Sequence, residues 1–114
     1  MKDRRQEERI STDLPIIACS PSIHPDSRIT NMSNTGAFIT TSHPLPVDTV
    51  LALHFQLPGA PEIMAINACV VWTKSVSNIN LAGMGIEYTD LLPEDQKKLI
   101  AFIEQNTPSN SSQG

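Results

Sequence analysis

Leu51-Ala52-Leu53-His54-Phe55-Gln56-Leu57 is the stretch that decides the fold class. Leu51, Leu53, Phe55 and Leu57 alternate with Ala52, His54 and Gln56, the period-two pattern of a strand with one buried face. The next apolar run repeats it with Met64, Ile66, Ala68, Val70 and Trp72, and the last with Ala82, Met84, Ile86 and Tyr88. Upstream, Leu14 to Ser20, Ser27 to Asn31 and Ala37 to Thr41 are shorter apolar or β-branched stretches, parted by Pro, Ser, Asn, Asp and Gly turn residues. Six antiparallel strands at such short spacing predict a small, mainly β barrel. On this alternation Trp72 falls on the apolar face and reads as core, with the rim of a ligand site as the other reading.

Helical spacing occurs once. Pro93 suits a first-turn position, Glu94 and Asp95 favour the positive end of a helix dipole, and Leu99, Ile100, Phe102 and Ile103 form the apolar face. A helix over 93–106 is therefore expected to pack on the barrel. The stretch 107–114 holds Ser, Asn, Gln, Pro and Gly with nothing to bury, and is expected to be a disordered tail.

A chain of 114 residues with 39% apolar content supports one core, and no internal repeat divides it. No apolar run approaches the roughly 20 residues of a membrane helix, and the charged start lacks a signal-peptide core, so a cytoplasmic protein without membrane insertion is expected. Cys19 and Cys69 sit in apolar runs without CxxC company and read as small core thiols, a disulfide being the alternative. His24, His43 and His54 are scattered and lack the close carboxylate or thiol company of a metal site or triad. Glu87, Asp90, Glu94 and Asp95 are accounted for by the strand end and helix start. Neither a metal site nor catalysis is expected.

Net charge is −4, yet Lys2, Arg4, Arg5 and Arg9 supply four of the eight Lys and Arg residues. Such a chain has no global field to attract DNA or RNA, but its basic start can hold a small anion at short range. An arginine fork matches phosphate oxygens and the O6/N7 edge of guanine, and its plane stacks on bases. The same residues also fit a solvated arm on which Arg4, Arg5 and Arg9 pair with Asp3, Glu7 and Glu8. In the second polar segment, Asn31-Met32-Ser33-Asn34-Thr35-Gly36, Asn31 and Ser33 offer an amide and a hydroxyl at a strand end, and Gly36 permits a tight turn or close backbone approach. An ordinary hairpin, with Asn31 and Ser33 bonding their own backbone, fits equally.

Taken in order, Arg5-Gln6-Glu7-Glu8-Arg9 and Asn31-Met32-Ser33-Asn34-Thr35-Gly36 resemble the RxxxR and [DN]xSxxG signatures of the PilZ domain family. Val70-Val71-Trp72 and Gly83-Met84-Gly85-Ile86-Glu87-Tyr88, followed by an acidic Pro-initiated helix, are similar to its closing strands and helix. The resemblance implies a six-stranded antiparallel PilZ-type β-barrel with a flexible N-terminal arm. One domain would cover 1–106, as arm 1–13, barrel 14–90 and helix 93–106. It implies a non-enzymatic, cofactor-free receptor, monomeric or weakly dimeric, that binds cyclic di-GMP and signals in trans to an effector protein of motility, exopolysaccharide or adhesion. By position, Arg5 and Arg9 would grip guanine and phosphate with Arg4 assisting, Asn31 and Ser33 would bond the ligand, and Gly36 would let it approach the backbone. Asn31 stands where Asp is commoner. A nucleotide-independent adaptor on the same barrel is the alternative.

Overall fold

The alternation at 51–57 is realised in β5 (Val50–Gln56), where Leu51, Leu53 and Phe55 are each 1% exposed. β5 pairs antiparallel with β6 (Ile63–Lys74), whose Met64, Ile66, Ala68 and Val70 join the same core. Between them Ala60 N–H donates to Leu57 O at 3.1 Å, with Pro58 and Gly59 as the central turn residues. Gly59 has φ +85°, which the third position of such a turn demands. This computed structural model describes residues 9–74 and 82–106. Residues 1–8 of the expected arm and the expected tail at 107–114 lie outside the described residues.

The other elements are β1 (Ile10–Pro15), β2 (Ala18–Ser20), β3 (Arg28–Met32), β4 (Gly36–Thr40), β7 (Gly83–Thr89) and α1 (Pro93–Asn106). One curled antiparallel sheet runs in the order β1-β3-β4-β7-β6-β5-β2. It has seven strands where six are expected, and the extra one arises inside Leu14–Ser20. Pro15 has no N–H to extend the ladder with β3, the chain crosses the sheet's open side, and Ile17 N–H then donates to His54 O of β5 at 2.8 Å. One predicted strand thus supplies both edges of the sheet, consecutive in the chain, and the curl brings them round the core. At its other end β1 begins at Ile10, so residues 10–13 of the expected arm are strand.

The concave face is closed by α1 through Leu99, Phe102 and Ile103. Ile29, Met32, Ile39, Val70 and Met84 of the sheet belong to the same buried cluster, all at 1% exposure or less. At about 1.5–3 kcal/mol for each large apolar side chain, this face stabilises the fold. Among the described residues no helix is long and apolar enough to cross a membrane.

Bulges set the convex face. In β3 an extra residue at Thr30 lets Ile29 and Met32, three apart, both face inward, while Asn31 faces outward in register with Phe38. In β6 the register slips between Val70 and Trp72, so Val71 is the extra residue and Trp72 comes opposite Gly85 on the outer face, 49% exposed. The core position expected for Trp72 is thereby corrected, because a one-residue insertion exchanges the faces of all that follows. Three outward rows result: Arg28, Thr40, Gly83 and Lys74; then Asn31, Phe38, Gly85 and Trp72; then Gly36, Glu87, Cys69 and Val50. Cys69 belongs to this outer face and Cys19 to an edge strand. Both are half-buried free thiols; Cys19 packs against the core as its run implies, Cys69 does not, and burial pushes the Cys19 thiol up.

Candidate functional site

The turn joining β3 to β4 is built around Ser33. Its Oγ accepts from the N–H groups of Thr35 and Gly36 at 3.2 and 3.3 Å, and its own N–H donates to Gly36 O at 2.8 Å. Tyr88 fixes the turn to β7, donating from Oη to Ser33 O at 3.1 Å and from its N–H to Thr35 O at 3.0 Å. Ser33 is consequently fully buried. A Cβ at Gly36 would lie inside contact distance of the Ile86 carbonyl, so glycine is required there by the approach of β4 to β7.

Above this turn the outer rows form an open groove of about 430 Å³. Arg9, immediately before β1, donates from Nη1 to Asn31 Oδ1 at 2.6 Å on one bank. Trp72 and Lys74, at the end of β6, form the other. Between the banks the rings of Phe38 and Trp72 form the floor, covering two buried glycines of β7. A Cβ at Gly83 would strike the Phe38 ring, and one at Gly85 the Trp72 indole. The two rings lie over this bare backbone from either side, with centroids 5.2 Å apart and planes 24° apart. Glu87 projects at the Gly36 end.

Of the six site residues that the resemblance implies, the structure brings Arg9, Asn31 and Gly36 to the groove and sets Ser33 beneath it. Arg4 and Arg5 lie outside the described residues. Phe38, Trp72, Lys74 and Glu87 also line the groove; Trp72 takes the rim position given as its other reading, and Phe38, Lys74 and Glu87 fall outside the expected site residues. The usable signal was the Gly83-x-Gly85 pair, two gaps on one strand face that adjacent strands fill with rings. Arg28 stays apart, its Nε donating to Asp13 Oδ1 and its Nη2 to the Asp13 carbonyl at 3.2 Å.

Two of the histidines expected to be scattered do meet. His24 and His43, from the β2–β3 and β4–β5 loops, stack with centroids 4.5 Å apart. Hydrogen bonds from Ser42, and His24 beside it, hold the Asp26 carboxyl below the usual range. Among the described residues, no three His, Cys, Asp or Glu side chains converge as a metal site requires.

Comparison with known proteins agrees with this architecture. The family profile described as PilZ domain matches residues 3–105. Among solved structures, the inhibitor of motility MotI/DgrA of Bacillus subtilis superposes with a TM-score of 0.74 at 20% identity, over 91% of this chain and 51% of that one. The PilZ domain of YcgR from Escherichia coli, in a structure with cyclic di-GMP, gives 0.64 at 15% identity over 91% and 92%. YcgR in complex with cyclic di-GMP gives 0.63 at 15% identity over 90% and 45%. The chain thus spans about half the length of MotI/DgrA and of that longer YcgR chain. A search of curated proteins finds no significant match.

Proposed function

This chain belongs to the PilZ domain family, and from that premise we propose that it is a receptor for cyclic di-GMP that passes the signal to a protein partner in trans. The observation that carries the reading is the Arg9–Asn31 hydrogen bond, which joins the two motif halves at the mouth of a groove floored by the Phe38 and Trp72 rings. Arg5 and Arg9, with Arg4 assisting, take phosphate and the O6/N7 edge of guanine. Asn31 bonds the ligand after releasing Arg9. Ser33 and Gly36 act by holding the turn that aims Asn31, and Lys74 adds a second cation. The half-exposed Trp72 offers a stacking surface, which bases reward with about 1–3 kcal/mol each.

The ligand is bound and not transformed, since PilZ-domain proteins are binding receptors. Domain limits of 1–106, a cytoplasmic setting and an output in motility, exopolysaccharide or adhesion belong to the same reading, the motility output supported by the likeness to an inhibitor of motility. Engagement of Arg4, Arg5 and Arg9 by the ligand supplies the surface change that the partner reads.

Isothermal titration with cyclic di-GMP tests this, beside Arg9→Ala, Asn31→Ala and a GTP control. Saturable binding is expected, weakened about tenfold or more in each variant, as for loss of a hydrogen bond to a charged group. No heat and no chemical-shift change at millimolar ligand would overturn it. A nucleotide-independent adaptor is the second reading, favoured by one observation: Ser33 is fully buried, its Oγ accepting from N–H groups of its own turn.

A further inference from the structure

Glu87 is the one acidic side chain among the described residues that line the groove. A carboxylate in a phosphate site is unfavourable unless it meets donors. Its neighbours across the ladder are Gly36, which has no side chain, and Cys69, whose thiol is turned to the Val70 carbonyl at 3.7 Å. Lys74 lies on the same groove two rows away and forms no ion pair with it. The acceptor capacity of Glu87 is therefore directed to whatever enters the groove.

An ionised carboxylate only accepts hydrogen bonds. Guanine is the base that presents two adjacent donors, N1–H and N2–H, on one edge, while its opposite O6/N7 edge accepts from an arginine fork. The groove has this polarity. Arg9 and Asn31 stand on β3's side and Glu87 on β7, two strand spacings or about 9.6 Å away laterally and one row along. The Phe38–Trp72 pair lies in the row beside Glu87, where a base plane can rest.

We propose that Glu87 is the guanine-selecting residue of the groove, accepting N1–H and N2–H of one base whose other edge is held by Arg9. This rests on the nucleotide-receptor reading above. Adenine would set its N1 lone pair against the carboxylate, and hypoxanthine, which lacks the 2-amino group, would leave one oxygen without its donor. A site built around specific donors rejects analogues that lack them more strongly than an apolar pocket does.

The test is titration of the wild-type chain, Glu87→Gln and Glu87→Ala with cyclic di-GMP, its inosine analogue and its adenosine analogue. The wild type is expected to prefer the guanine ligand to the inosine ligand by about tenfold, and more over the adenosine ligand. In Glu87→Ala the guanine-to-inosine ratio should fall to about one, and cyclic di-GMP should weaken about ten- to hundredfold; Glu87→Gln should lie between. Both variants are outward-facing, and their melting temperatures should stay near that of the wild type. Equal wild-type affinity for the guanine and inosine ligands overturns the inference while leaving the receptor reading in place. An unchanged ratio, or tighter binding, in Glu87→Ala does the same. A wild type that binds none of the three overturns both.

Discussion

The two faces of β7 use one strand for opposite ends. Inward, Met84 and Ile86 are 0% and 3% exposed and belong to the core cluster that includes the apolar face of α1. Outward, Gly83 and Gly85 carry no side chain, and Glu87 meets solvent at the end of the groove. Packing is concentrated on one face and withheld from the other, where rings from β4 and β6 lean over bare backbone. A face that is already well packed has no room for a ligand, so this division lets a small domain fold stably and still present a site.

The largest effect should come from the inner face. Ile86→Ala removes buried methyl and methylene groups from the middle of the sheet and should cost about 2–5 kcal/mol in urea denaturation. A loss under about 1 kcal/mol would mean that the concave face is not where stability resides.

Adding one methyl group to the outer face sharpens the contrast. At Gly36 the new Cβ would meet the Ile86 carbonyl, which is backbone and cannot turn aside, so Gly36→Ala should cost about 2–3 kcal/mol. At Gly85 it would meet the indole of Trp72, a half-exposed ring that can swing outward. Gly85→Ala should therefore cost only about 1 kcal/mol, shift tryptophan emission to the red and weaken ligand binding. Equal stability losses at the two glycines would remove the distinction between a gap closed by backbone and one covered by a movable ring.

The same contrast explains what the sequence revealed. β5, most of β6, β7 and α1 were legible because each writes its burial as a local period, and the helix over 93–106 falls where its Pro93 start and apolar spacing place it. The Arg9 and Asn31 positions were legible through their motifs. Trp72 was misassigned because the extra residue at Val71 reverses the face, and bulges leave no local signature in an apolar run. Phe38, Lys74 and Glu87 were missed as groove residues for a related reason: their convergence is set by the register of β7 with distant β4 on one side and, past a bulge, with β6 on the other, which no short window contains. The break within Leu14–Ser20 depends likewise on which distant strands each half meets.

The smallest effect should be at the rim of the helix layer, where Lys98 Nζ lies 2.6 Å from Glu62 Oε1. The hydrogen bond and charge of Lys98 hold the Glu62 carboxyl below its ordinary value, and Glu62 holds the Lys98 ammonium above its own. Both groups face solvent, which screens the pair and leaves little net stabilisation. The sign follows from linkage. Glu62's contribution is present above the ordinary carboxylate value and is lost as pH falls through its lowered value in the fold. That of Lys98 is present below the ordinary lysine value and is lost as pH rises through its raised one. Between those limits the pair's contribution should be flat with pH and reduced by salt. Lys98→Ala should accordingly leave the denaturation midpoint at neutral pH nearly unchanged, because Leu99, Phe102 and Ile103 hold α1 to the sheet without it. A midpoint shift as large as that of Ile86→Ala would place the anchoring of the helix in its charges and undo the division between a packed inner face and a free outer one.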